Sequence, residues 1–73
     1  MKAFDRRTLG ERIRQLRTDA GIGQNKLAED LHVSNASISY WETAKQDPSA
    51  EAIFKIAQYF NVSADYLLGI TDY

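Results

Sequence analysis

Gln24-Asn25-Lys26-Leu27-Ala28-Glu29-Asp30-Leu31-His32-Val33-Ser34-Asn35-Ala36-Ser37-Ile38-Ser39-Tyr40-Trp41-Glu42-Thr43 is the stretch that decides the fold. Leu27, Ala28 and Leu31 recur at i, i+1 and i+4, one face of a short helix. Ile38 and Trp41 repeat a helical spacing, i and i+3, on a second short helix. Between them His32-Val33-Ser34 leaves room only for a tight turn, with Ser34 placed to cap the second helix. Two helices joined this tightly, each with one narrow apolar face, must cross steeply over a shared core. That arrangement is a helix-turn-helix, whose second helix is able to lie in the major groove of DNA.

Outward from this stretch the pattern stays helical, and no segment reads as a strand. Thr8-Leu9-Gly10-Glu11 has the form of a capping box, in which Thr8 opens a helix and Glu11 reaches back. That helix would put Leu9, Ile13, Leu16 and Ala20 on one face and stop at Gly21. Gly23 serves as N-cap of the second helix, and the third runs from about Asn35 to Trp41. Asp47-Pro48-Ser49 punctuates the chain, because proline suits a turn or a helix start. A fourth helix follows with Ile53, Ile56, Ala57 and Phe60 inward, and Asn61 ends it. Ser63 caps a fifth, Ala64 to Leu68, before Gly69. The expected fold is all-α: a compact bundle of five short helices.

Seventy-three residues make one domain, residues 1–73, with 1–7 a flexible basic arm and 71–73 a tail. A chain this short buries only about 60% of its unfolded surface, so its stability is modest. It has no cysteine and a single histidine, which leaves no disulfide and no ordinary zinc site. No metal and no cofactor are expected. Met1-Lys2-Ala3-Phe4-Asp5-Arg6-Arg7 lacks the apolar centre of a signal peptide, and no apolar run approaches a membrane span of about 20 residues. A cytoplasmic, soluble protein with no membrane partner follows as the expectation.

The net charge is −1, which argues against a strong non-specific binder of nucleic acid. Its distribution is more informative. Residues 1–17 carry six basic side chains against Asp5 and Glu11, a net +4; residues 18–73 carry three basic against eight acidic, a net −5. A dipolar molecule of this kind can present a positive face to phosphate while staying near neutral overall.

Leu9 through Arg17, then Gln24 with Leu27-Ala28, Val33-Ser34, Ile38, Trp41-Glu42, Lys45 and Pro48-Ser49 resemble the Cro/C1-type (xenobiotic-response-element) helix-turn-helix domains. The ending Asn61-Val62-Ser63-Ala64-Asp65-Tyr66-Leu67-Leu68-Gly69 is also similar to these, especially to repressors of phages and mobile elements. The resemblance covers roughly residues 8–70. It implies a lambda-repressor-like bundle and a dimeric transcriptional regulator that binds a palindromic operator in double-stranded DNA. Two positions depart from the pattern. His32 stands at a turn position that is commonly glycine, and Thr43-Ala44 follows Glu42 where Arg/Asn-Gly is common.

With Ile38 and Trp41 inward, Asn35, Ala36, Ser39 and Tyr40 face outward and are the candidates for base contact. Asn35 can pair bidentately with adenine N6 and N7, and Ala36 can touch a thymine methyl. Ser39 suits either base, and Tyr40 a phosphate or the groove wall. This helix has no arginine, so bidentate guanine reading is not expected from it. Candidates for phosphate contact are Gln24, which matches the family's phosphate-binding glutamine, together with Ser37, Thr43, Lys45, Arg17 and Lys26. Arg6 and Arg7 either line the backbone as an arm or fray.

The resemblance also implies an ion pair between Arg17 and Glu42, partly buried, that joins the first helix to the end of the third and leaves Arg17 near a phosphate. It places dimer contacts after the fourth helix, at Tyr66, Leu67, Ile70 and Tyr73.

The competing reading is a helical protein-interaction module, such as an antitoxin or an anti-repressor-sensitive domain whose main partner is a protein. An enzyme has little support, since the sole histidine lies on a turn and no hydrolase-type elbow is present. With no effector domain evident, the sequence fits either a complete Cro-like regulator or the N-terminal domain of a longer repressor.

Overall fold

A computed structural model describes all residues, 1–73, as five α-helices: α1 Arg6–Asp19, α2 Gln24–Leu31, α3 Asn35–Glu42, α4 Ala50–Phe60 and α5 Ala64–Leu68. α1 lies against both α3 and α5, α2 packs on α3 and α4, and α4 meets α5. The apolar faces of all five close one core: Leu9, Ile13, Leu27, Ala28, Leu31, Ile38, Trp41, Ala52, Ile56 and Leu67. Leu16, Ile22, Val33, Ile53, Ala57, Phe60, Val62 and Tyr66 pack around it.

Local chemistry explains where the helices start and stop. Ser34, Ser49 and Ser63 each accept a hydrogen bond from the backbone N–H three residues on, satisfying donors that the first turn leaves open. His32 and Asn61 end α2 and α4 in the left-handed region, at φ 57° and 55°. Gly69, at φ 83°, does the same for α5.

α1 departs from the expected start. Its N-cap is Asp5, whose carboxylate accepts from the Arg7 N–H at 2.9 Å, and Thr8 lies inside the helix. A carboxylate is a stronger partner than a hydroxyl for the positive end of a helix, and starting at Arg6 adds helical turn ahead of Thr8. That backbone bond, aided by the Arg7 side chain, holds the Asp5 carboxyl below its ordinary value. Arg6 and Arg7 therefore belong to the first turn of α1 and not to a flexible arm. Ala20, expected inward, is exposed, because α1 ends at Asp19 and Ala20 is its C-cap. No helix is long and apolar enough to cross a membrane.

Candidate nucleic-acid interface

α3 is held from below by two side chains. Ile38 is fully buried and Trp41 is 6% exposed. Its C-terminal end is brought close to α1 by Gly10, where the absence of a side chain is a steric requirement. A Cβ there would fall well inside contact distance of the Trp41 carbonyl oxygen and 3.0 Å from that of Glu42. Both obstacles are backbone atoms, which cannot rotate away.

The same end of α3 is tied by charge. Arg17 donates from Nε to one Glu42 carboxylate oxygen at 2.7 Å and from Nη2 to the other at 3.0 Å. Its Nη1 donates to the Ile22 carbonyl at 3.0 Å. Gln24, the first residue of α2, adds a third donor to the carboxylate at 3.1 Å. The two charged side chains are 12% and 3% exposed. Bonding to Glu42 raises the Arg17 pKa above its ordinary value despite the opposing effect of burial. Three helices thus meet on one carboxylate, and a neutral pair sits where an isolated charge would be costly.

On the outer side of α3, Asn35, Ala36 and Tyr40 are exposed, and Ser37 and Ser39 are half-buried. Asn35 donates from its amide to the side-chain oxygen of Asn25 on α2. One N–H and the carbonyl oxygen of Asn35 remain free, the donor and acceptor that the adenine edge requires. Asn25 has no sequence signal of this role, because two exposed asparagines ten residues apart meet only once the turn is formed.

The groups considered for phosphate contact have distinct surroundings. α2 is the one helix of the five without a side-chain cap, since Gly23 offers none, and its first-turn N–H groups are open. The Gln24 side chain is engaged with Glu42, and the Thr43 hydroxyl donates to the Ser39 carbonyl at 2.8 Å. Ser37 shares a hydroxyl hydrogen bond with Ser34 at 2.9 Å. Lys26 pairs with Asp30 at 3.2 Å, which raises its pKa, whereas Lys45 is exposed and makes no ion pair. Arg17 spends three of its five donors internally, so the charge it offers outward is largely matched by Glu42.

One of the residues expected at a dimer contact is misplaced by that reading. Leu67 is fully buried in the chain's own core and has no surface to give a partner. Its helical spacing reads the same for a core face and for an interface. Ile70 and Tyr73 are 57% and 90% exposed, and Tyr66 is half-buried beneath the guanidinium of Arg12.

A model of the family described as helix-turn-helix matches residues 13–67. The chain is 39% identical over 62 residues to the HTH-type transcriptional regulator ImmR of Bacillus subtilis, covering 85% of this chain and 49% of ImmR. It is 43% identical over 58 residues to the HTH-type transcriptional activator BcrR of Enterococcus faecalis, covering 80% of this chain and 28% of BcrR. The chain therefore spans half or less of the length of these curated relatives. Among solved structures, the crystal structure of the P22 c2 repressor protein with synthetic operator 9T superposes with a TM-score of 0.79 at 38% identity, covering 82% of this chain and 91% of that one. Motif, bundle and matched residues agree: the chain belongs to the helix-turn-helix family of Cro/C1-type domains.

Proposed function

We propose that this chain is the DNA-binding domain of a transcriptional regulator acting as a repressor. It reads a palindromic operator as a homodimer with α3 in the major groove. The observation that carries this reading is the orientation of α3. Ile38 and Trp41 are anchored inside, while Ala36 and Tyr40 are exposed on the far side and Asn35 is exposed at the N-terminal end of the helix. A P22 repressor domain of the same architecture is bound to an operator duplex, which supports extending that use to this chain.

Asn35, Ala36, Ser39 and Tyr40 contact bases. The open N–H groups at the start of α2, with Gln24, Ser37, Thr43, Lys45, Lys26 and Arg17 around them, meet phosphates. Of the lysines, Lys45 contributes more than Lys26, which must first part from Asp30. Two copies of the 73-residue domain associate through Ile70, Tyr73 and the edge of Tyr66, setting half-sites about 34–36 Å apart. The role is one of binding rather than catalysis, carried out in the cytoplasm where the operator lies.

Selection of bound duplexes from a random pool, followed by footprinting of the enriched sequence, tests this reading. The expected outcome is one palindrome, protected on two successive major grooves of the same face, with affinity falling steeply as salt rises. Failure to enrich any sequence would contradict it and favour a protein as the principal partner.

A further inference from the structure

Arg12 stands on α1 with its side chain 20% exposed, and it takes no part in the socket around Glu42. Its Nη1 donates to the carbonyl oxygens of Tyr66 and Thr71, the second at 2.7 Å. Its Nη2 lies 3.5 Å from the Asp72 carboxylate, and the guanidinium carbon lies 4.3 Å from the centre of the Tyr66 ring. The only anion among these partners is Asp72, whose side chain is 92% exposed. The charge of Arg12 is therefore met chiefly by main-chain carbonyls and a ring face. Such an arrangement orients backbone more than it neutralises charge.

The backbone it orients is the end of the fold. After Gly69 turns at φ 83°, the Ile70 and Thr71 N–H groups bond back to the Asp65 carbonyl at 2.9 and 3.4 Å. Arg12 binds the neighbouring carbonyls of that same turn and places a cation where the C-terminal end of a helix favours one. Ile70 and Tyr73, both exposed, ride on or beside this fastened segment. Apolar side chains on a segment already held in one conformation associate without the cost of ordering it.

We propose that Arg12 is a positioning residue for self-association. Its guanidinium fixes residues 66–72 so that Ile70 and Tyr73 meet a second copy of this chain in one orientation, and that orientation sets the half-site spacing the dimer accepts. The inference rests on the dimer reading above, and the experiment separates the two.

The test compares wild type, Arg12→Met and Arg12→Lys on three probes made from the selected duplex: one half-site, the palindrome, and palindromes with the spacer changed by one base pair. Arg12→Met keeps the apolar stem and removes the donors. It is expected to bind the half-site within about twofold of wild type, to lose about tenfold or more on the palindrome, and to discriminate poorly between spacers. Arg12→Lys is expected to recover part of the spacer preference. Hydrogen exchange at the Ile70 and Thr71 amides, with Ile38 as a core reference, reports whether only the tail has loosened, and in Arg12→Lys it does so even if Arg12→Met fails to fold. Equal loss on half-site and palindrome, unchanged binding on both, or unchanged exchange at Ile70 and Thr71 would overturn the proposal. Wild type binding half-site and palindrome equally would remove the dimer reading itself, and this proposal with it.

Discussion

Arg17 on α1 grips the carboxylate of Glu42 at the end of α3 through two nitrogens, at 2.7 and 3.0 Å, in a setting almost closed to water. The pair sits at the junction of three helices and fixes the tilt of the helix that presents Asn35. Replacing one member strands the other charge. Glu42→Gln is expected to lower stability by about 3–5 kcal/mol, since both side chains are largely buried. For a domain of this size each kcal/mol moves Tm by about 4–8 °C. Thermal unfolding followed by circular dichroism measures it. The double variant Arg17→Met with Glu42→Leu is expected to be less damaging than Glu42→Gln alone, because no unpaired charge remains.

Gly10→Ala tests the close approach of α1 to the last carbonyls of α3. On an exposed helix the change would favour stability by about 1 kcal/mol. Here the added methyl meets the Trp41 and Glu42 carbonyl oxygens. A net loss of about 1–3 kcal/mol is expected, read from the urea midpoint. A gain would show that the two helices have room to part.

Ala44 carries a left-handed backbone, at φ 61°, in the loop after α3. A Cβ in that region costs about 1–2 kcal/mol, part of which glycine returns as extra freedom when unfolded. Ala44→Gly is accordingly expected to raise Tm by a few degrees, about 0.5–1 kcal/mol. The residue that the family pattern commonly carries here is thus the one the local geometry prefers. An unchanged or lower Tm would contradict this.

Tyr59 donates to the Asp30 carboxylate at 2.6 Å, tying α4 to α2. That bond, and after it Lys26, hold the Asp30 carboxyl below its ordinary value, and the same bond raises the Tyr59 phenol. A depressed carboxyl adds stability above its unfolded pKa that is lost as pH falls through the folded one. A raised phenol adds stability below its unfolded pKa that is lost as pH rises through the folded one. The contribution is therefore full between about pH 4 and about pH 10 and fades outside that window. Tyr59→Phe is expected to lower the urea midpoint near neutral pH and to approach wild type beyond either limit. A difference independent of pH would contradict it.

Much of this was legible in the sequence for physical reasons. Ile38 and Trp41 set the buried face of an eight-residue helix, so Ala36 and Tyr40 follow as outward from spacing, while Asn35, three residues before Ile38, is open because it begins the helix. Ser34 and Ser63 announce their helices because a hydroxyl cap acts locally. Where two local signals compete, pattern is insufficient: Asp5 outbids Thr8 for the start of α1 by charge. Contacts that exist only in three dimensions left no trace in the pattern. Asn25 reaches Asn35 across the turn, and Arg12 reaches Tyr66 and Thr71 across most of the chain. One apolar residue on a five-residue helix looks alike whether it faces a core or a partner, and Leu67 faces the core.

The most direct test of the central claim, that the outward face of α3 reads base pairs, is the affinity of Asn35→Ala for the selected duplex relative to a scrambled one. The account predicts that this ratio falls by roughly tenfold, with binding to the scrambled duplex unchanged, because Asn35 contributes discrimination and not general attraction. An unchanged ratio, or an equal loss on both duplexes, would contradict it.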